Sequence, residues 1–270
     1  MLIVRSGTLV DAEMLTAAPR LRVIGRTGVG VDEVDVAEAT RRGIPVVVTP
    51  NANAAAVASG ALALLLALAK RLPELDRVVK EGRWSSRDTI ELADLDGGTL
   101  GIVGFGRIGR RLARLVAPFE MRVLVCDPYA ADAPEIVDLP TLFRESDFVS
   151  LHAPLTPETR GMVDAELLAQ AKQGLLLVNL ARGALVRSLD DLLTALESGR
   201  LGGVGLDVFE PEPPDVSHPL FRHPRVLCSP HALWRTRRTL DATFREMSEG
   251  VLAVLRGERW PAVANPDVYG

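Results

Sequence analysis

Short apolar runs and amphipathic stretches alternate along most of the chain. Runs near residues 100–104, 121–126, 147–151, 175–180, 203–208 and 225–229 have the length of buried strands. Between them, residues 107–117, 139–145, 164–171 and 189–198 carry helical spacing. Strands separated by helices predict an α/β fold with a doubly wound parallel sheet. A smaller set comes first: a strand at Leu2-Ile3-Val4, a short helix near 11–18, an apolar run Leu21 to Ile24, a helix over 33–42, and a strand Ile44 to Val48 stopped by Pro50. Residues 54–71 are rich in alanine and leucine and have no polar face, which predicts a helix covered on most sides. A second helical run covers 73–82, the polar stretch 83–98 ends in Gly97-Gly98, residues 210–224 are proline-rich and irregular, and a helix near 236–256 closes the chain. The pattern predicts two domains, residues 1–50 with 236–270 and residues 51–235.

The sharpest local signal is Thr99 to Arg110, a strand, a tight turn and a helix start. Gly104, Gly106 and Gly109 match G-x-G-x-x-G: the first permits the turn, the second lets a phosphate approach the backbone, and the third lets helix and strand pack closely. The amides around Arg107 and Ile108 then lie at a helix N-terminus, where peptide dipoles favour an anion. The next strand ends in Asp127, eighteen residues past Gly109, near the spacing of the acid that bonds the adenosine ribose. Pro128 and Tyr129 follow it, with no Arg or Lys beside the acid, so NAD is favoured over NADP. The plainer reading is a ligand-free strand–turn–helix. A second glycine turn, Gly25 to Gly30, is a candidate anion cradle or a plain turn.

Composition narrows the classes. The 270 residues are 47% hydrophobic and 24% charged, with a net charge of −4 and no basic tract, which argues against nucleic acid. Cys126 and Cys228 sit in apolar runs and read as buried thiols rather than a disulfide or metal site. Met1 to Val4 is too short for a signal peptide and 54–69 too short to span a bilayer, so a cytoplasmic protein away from membranes is expected.

Three polar residues follow the late strands, at the edge where open α/β sheets bind ligands. Arg182 follows Leu175 to Leu180, Glu212 follows Val204 to Phe209, and His231 follows Val226 to Ser229. Singly, each reads equally well as a structural arginine, a surface carboxylate or a strand-capping histidine. Beside a nucleotide site, a cation, a carboxylate and an imidazole together point to chemistry.

Those residues complete a resemblance. Leu2 to Ser6, Val23 to Asp35, Leu100 to Gly109, Leu151 to Arg160, Val178 to Val186, Leu206 to Pro213 and Ser229-Pro230-His231 resemble the D-isomer-specific 2-hydroxyacid dehydrogenases, especially their phosphoglycerate dehydrogenase-like members. The resemblance implies a Rossmann NAD-binding domain and a flavodoxin-like substrate domain built from both chain ends. It implies Arg182 as the substrate-binding arginine, Glu212 as the partner of the histidine and His231 as acid/base. It places cofactor contacts at Arg107, Ile108, Asp127, Ala153, Leu180, Ala181 and Asp207, and the substrate carboxylate at the backbone of Gly28, Val29 and Gly30. Arg5 and Arg26 match arginines that face the active site in phosphoglycerate enzymes. Chemistry agrees with these roles, because hydride leaves carbon 2 only as the hydroxyl proton is removed, and a guanidinium fork grips a carboxylate in two places.

The chain also departs from the pattern. Family members carry further strand–helix units ahead of the Leu2-Ile3-Val4 strand, so either the chain is naturally short or its start is truncated; a reduced substrate sheet with an exposed edge is expected, and helix 54–71 offers a homodimer interface. Ser59-Gly60 and Arg187 replace positions that are often acidic. After His231 comes Ala-Leu-Trp-Arg-Thr, so that Trp234 resembles the glycerate/hydroxypyruvate reductases and the corepressor relatives; it walls the substrate pocket or packs at the domain junction. No regulatory domain is expected after residue 270. The leading expectation is an NAD-dependent oxidoreductase acting on a small anionic D-2-hydroxy or 2-oxo acid, either 3-phosphoglycerate-like or a glycerate, glyoxylate or phosphonate analogue. The alternative is a dimeric NAD-sensing interaction protein without turnover.

Overall fold

Two parallel sheets account for the strands, and each belongs to its own unit in the computed structural model, which describes residues 1–5 and 7–270. Ser6, the last residue of the first matching stretch, lies outside them. One unit comprises residues 1–56 with 234–270, the other residues 57–233.

In the first unit, β1 (Leu2–Val4), β2 (Ile24–Arg26) and β3 (Val46–Val47) pair in parallel in that order. Two short helices connect them, α1 (Ala12–Ala17) and α2 (Val36–Arg41), each capped by an aspartate, Asp11 and Asp35. Of the apolar run Leu21 to Ile24 only its last residue belongs to a strand, since β2 begins at Ile24 and runs on through Gly25 and Arg26. The reason is packing: a Cβ on Gly25 would lie 2.8 Å from Val251 and 2.9 Å from Met247 of the closing helix (α9, Arg237–Leu255). That glycine therefore serves helix–sheet contact rather than a turn. Asn265 ties the end of the chain to β3, accepting from the Val46 amide and donating to the Ile44 carbonyl. Ile3 on the edge strand β1 is half exposed.

The second unit holds six parallel strands, β4 (Thr99–Val103), β5 (Arg122–Cys126), β6 (Phe148–Leu151), β7 (Leu175–Asn179), β8 (Leu201–Leu206) and β9 (Val226–Cys228), in the order β5-β4-β6-β7-β8-β9. The chain leaves β4 on one side for β5 and returns on the other at β6. The order therefore reverses at β4/β6, where open α/β sheets bind ligands. Helices α5 (Arg107–Val116), α6 (Leu139–Glu145), α7 (Ala165–Ala169) and α8 (Leu189–Glu197) form the crossovers. Leu124, Leu142, Phe143, Leu151, Leu177 and Val204 form one contiguous core between sheet and helices. The doubly wound α/β fold expected from the strand rhythm is the fold observed. Both cysteines are free thiols, but the expected burial fails at β9: this edge strand leaves Cys228 exposed, while Cys126 is half-buried.

The apolar stretch forms α3 (Ala54–Ala69), which breaks at Arg71, a residue with φ of 46°, and bends by 55° into α4 (Leu72–Lys80). Gly60 lets α3 approach its own unit, since a Cβ there would lie 2.9 Å from Leu233. Ser59 and Ala63 are exposed on one side of α3, with Leu62 and Leu66 half-buried beside them. Among the described residues no single helix is long and apolar enough to cross a membrane.

Candidate functional site

The glycine turn joins β4 to α5 at the switch point. Gly104 has φ of 92°, and a Cβ on it would come within 2.6 Å of the Ala153 amide nitrogen. A Cβ on Gly109 would meet the Gly104 carbonyl at 2.4 Å. These two glycines keep turn, helix and β6 in contact. Gly106 differs: its φ of −75° suits any residue, and its Cβ would meet no protein atom within 4 Å. The space it protects lies outside the protein, where the spacing of the motif seats a phosphate.

The start of α5 supports the same reading. Six helices are capped by their own side chains, at Asp11, Asp35, Asp138, Asp164, Ser188 and Thr236. α5 is not, because its N-cap is Gly106. First-turn amides without a side-chain cap are the donors an anion uses. Asp127 follows β5 beside the turn, its carboxylate accepting from the Phe105 amide at 2.6 Å and the Tyr129 amide at 2.8 Å. The residues present thus fit a dinucleotide: open amides for the pyrophosphate and a carboxylate for the ribose.

Arg182, Glu212 and His231 emerge from the neighbouring strands β7, β8 and β9. The His231 Nδ1 and the Glu212 Oε2 are 2.9 Å apart, and the other Glu212 oxygen accepts from the Phe209 amide at 3.0 Å. Partial burial works to raise the Glu212 carboxyl. The His231 hydrogen bond, the Phe209 amide and the charges of His231 and Arg182 outweigh it, and hold the carboxyl below the usual carboxylate range. Arg182 donates from Nη1 to the Ala181 carbonyl at 2.7 Å. Its loop lies against the Glu212 loop, since a Cβ on Gly183 would overlap the Phe209 carbonyl carbon at 2.1 Å.

Two buried polar side chains hold these loops, and sequence reasoning missed both as supports. Asn179 accepts from the Ala181 amide and donates to the Arg182 carbonyl. Asp207 accepts from the Ser229 hydroxyl at 2.6 Å and the Ala232 amide at 2.9 Å, gripping the chain on both sides of His231. His231 itself has φ of 49°, a left-handed conformation that costs a non-glycine residue on the order of 1 kcal/mol or more and persists only where neighbours enforce it. Both Asp207 oxygens are engaged within the protein, and the residue is 3% exposed. The signal for these supports was an acid or amide at the end of a strand, directly before a functional loop.

The family model described as "D-isomer specific 2-hydroxyacid dehydrogenase, NAD binding domain" matches residues 62–232. The D-3-phosphoglycerate dehydrogenase of Mycobacterium leprae is 42% identical over 272 residues, covering 98% of this chain and 51% of the relative. The glyoxylate reductase of Korarchaeum cryptofilum is 42% identical over 268 residues, covering 96% of this chain and 80% of the relative. The chain belongs to the D-isomer-specific 2-hydroxyacid dehydrogenase family. Its fold agrees with the crystal structure of TT0316 protein from Thermus thermophilus, with a TM-score of 0.91, 40% identity, and coverage of 97% of this chain and 85% of that one. The chain spans about half the length of the phosphoglycerate dehydrogenases it matches. The glycine turn, Asp127 and all three candidate catalytic residues fall within the NAD binding domain of this family.

Other expected contacts of the NAD binding domain are placed as follows. Arg107 is exposed and Ile108 half-buried in the first turn of α5, Ala153 follows β6 against Gly104, and Leu180 and Ala181 follow β7, with the Ala181 amide already given to Asn179. Arg5, Arg26, Gly28, Val29, Gly30 and Trp234 belong to the other unit. There Arg26 is 6% exposed, lies 3.6 Å from Glu33 and donates to the Thr27 carbonyl. The Thr27 and Gly28 amides are spent on the carbonyls of Val4 and Arg26, which narrows the expected anion cradle to the amides of Val29 and Gly30. Arg187 ion-pairs with Asp164 at 2.6 Å. Among the described residues no cluster of His, Cys, Asp or Glu could hold a metal ion.

Proposed function

We propose that the protein is an NAD-dependent D-2-hydroxyacid dehydrogenase acting on a small anionic 2-hydroxy or 2-oxo acid. The observation that carries this reading is the 2.9 Å His231–Glu212 pair beside Arg182, on the strand ends that follow the glycine turn. Bound NAD supplies the hydride donor or acceptor. His231 takes the hydroxyl proton of the substrate through Nε2 during oxidation and returns it to the carbonyl oxygen during reduction. Glu212 fixes the ring orientation through Nδ1 and stabilises the imidazolium that forms. Arg182 binds the substrate carboxylate and polarises the 2-oxo group.

We assign the remaining anionic groups of the substrate to Arg5, Arg26 and the Val29 and Gly30 amides, with Trp234 as an apolar wall. Two cationic side chains on one small unit suit a substrate with a second negative group, such as 3-phosphoglycerate, while Trp234 suits glycerate or glyoxylate. We further propose a homodimer through α3, whose side bearing Leu62, Ala63 and Leu66 is apolar and exposed or half-buried. A cytoplasmic location fits the use of a soluble nucleotide. The test is a panel of 2-oxo acids with NADH, read by loss of NADH absorbance. Consumption with at least one acid is expected, and a panel without any consumption, despite measured cofactor binding, overturns the reading in favour of a nucleotide-sensing role.

A further inference from the structure

Beside Asp127 lies a cation that β5 and its turn do not supply. It is Arg110, the residue after the third glycine, brought across from the first turns of α5. Its guanidinium stacks on the Phe105 ring, 4.8 Å from the centroid. Its fork meets both oxygens of Asp132, with Nη2 to Oδ1 at 2.7 Å and Nη1 to Oδ2 as the second arm. Phe105 connects this group to the ribose acid, since its ring carries Arg110 while its amide donates to Asp127 at 2.6 Å. The charge of Asp127 also acts on Arg110.

We propose that Arg110 is a reserve site for the 2′-phosphate of NADP, and that Asp127 and Asp132 together make this site select NAD. The inference rests on the assignment of the glycine turn as the dinucleotide site. A 2′-phosphate takes the place of the ribose hydroxyl that Asp127 accepts from. Two negative charges there meet the Asp127 carboxylate, and the guanidinium that suits them is already filled by Asp132. The Phe105 ring keeps the planar fork in place, so removal of the acids leaves a cation already oriented for bidentate phosphate binding. Asp132 is 69% exposed, and exposed ion pairs are weak. Asp127 is therefore the stronger barrier and Asp132 the weaker one.

Calorimetric titration of the full chain with NAD+ and NADP+ tests this without any turnover. Wild type is expected to favour NAD+ strongly. D127S narrows the preference, and D127S/D132A raises NADP+ affinity by a further factor of about 3–10, the range of an exposed ion pair or slightly more. Adding R110Q then lowers NADP+ affinity by about tenfold or more while NAD+ affinity stays within about threefold, and R110K restores part of the loss. NADP+ affinity in the double variant that is indifferent to Arg110 overturns the proposal, as does an R110Q loss that is equal for both dinucleotides. A wild-type chain that binds neither dinucleotide overturns this proposal together with the cofactor assignment beneath it. Melting curves of each variant verify that the substitutions leave the fold intact.

Discussion

The two ends of the NAD binding domain's crevice are built in opposite ways. The turn between β4 and α5 works by omission: Gly106 has no Cβ, α5 has no side-chain cap, and among the described residues nothing lies within 4 Å of where that Cβ would stand. The loops after β7, β8 and β9 work by occupation. Asn179, Asp207 and Glu212 spend their polar atoms on neighbouring loops, and His231 is held in a left-handed conformation between two bonds to Asp207. A cofactor that comes and goes needs donors left open, whereas proton transfer needs an imidazole that stays in place. Substitutions at the two ends should therefore fail differently.

The largest expected effect is at the occupied end. His231→Gln should lower kcat by about 10²–10⁴-fold, the usual worth of a general acid/base, with NADH affinity little changed by calorimetry. Loss of binding and turnover in parallel would show that His231 supports the fold rather than the proton transfer. The open end gives a sharper contrast between glycines. Gly104→Ala forces a side chain into φ of 92° and against the Ala153 amide, and should destabilise by about 2–4 kcal/mol in denaturant unfolding. Gly106→Ala meets no protein atom within 4 Å, so it should cost no more than about 1 kcal/mol, the usual cost of alanine at an N-cap, while NAD affinity falls about tenfold. Equal stability losses for the two would erase the distinction between a packing glycine and a ligand-facing one.

Asp207→Asn comes next. It keeps the shape of the side chain but weakens acceptance from Ser229, Ala232 and Leu233, so His231 should lose its fixed placement. The expectation is a fall in kcat of about tenfold at nearly constant KM for the substrate. A rise in NADH Kd of similar size with kcat unchanged would make Asp207 a cofactor contact instead.

The same contrast explains what could be read before the structure. The strand–helix alternation, the glycine spacing and the positions of Asp127, Arg182, Glu212 and His231 after their strands were legible because each signal is local: a period, a turn, or a residue at a strand end. The continuation of β2 through Gly25 was not, because it depends on Val251 and Met247, more than two hundred residues away in the chain. The Asp207 grip on residues 229–233 and the Arg110–Asp132 fork were hidden for a similar reason, since both join residues 22 to 26 positions apart through side chains. Exposure of Cys228 depends on β9 being the sheet edge, and strand order is absent from local pattern.

A last, pH-dependent effect lies where the two ends meet. His152 follows β6, directly before the Ala153 amide that packs on Gly104. Its Nε2 bonds the Ser150 hydroxyl at 2.9 Å, and its buried Nδ1 has no partner among the described residues. Burial pushes the imidazole down to about 4, so the folded chain keeps it neutral. Well above pH 6.5 the ring is neutral in both the folded and the unfolded chain, and contributes no pH dependence. As pH falls from 6.5 towards 4, the unfolded chain takes up a proton that the folded chain refuses, so stability declines until the folded ring also titrates. The loss from this residue is on the order of 3 kcal/mol by about pH 4. His152→Gln keeps a hydrogen-bonding partner for Ser150 and removes the titration, so its unfolding free energy should fall less between pH 6.5 and 4 than that of the wild type. An identical pH slope in both proteins would mean that His152 takes up its proton without cost, and that the floor beneath the glycine turn is wetter than its packing implies.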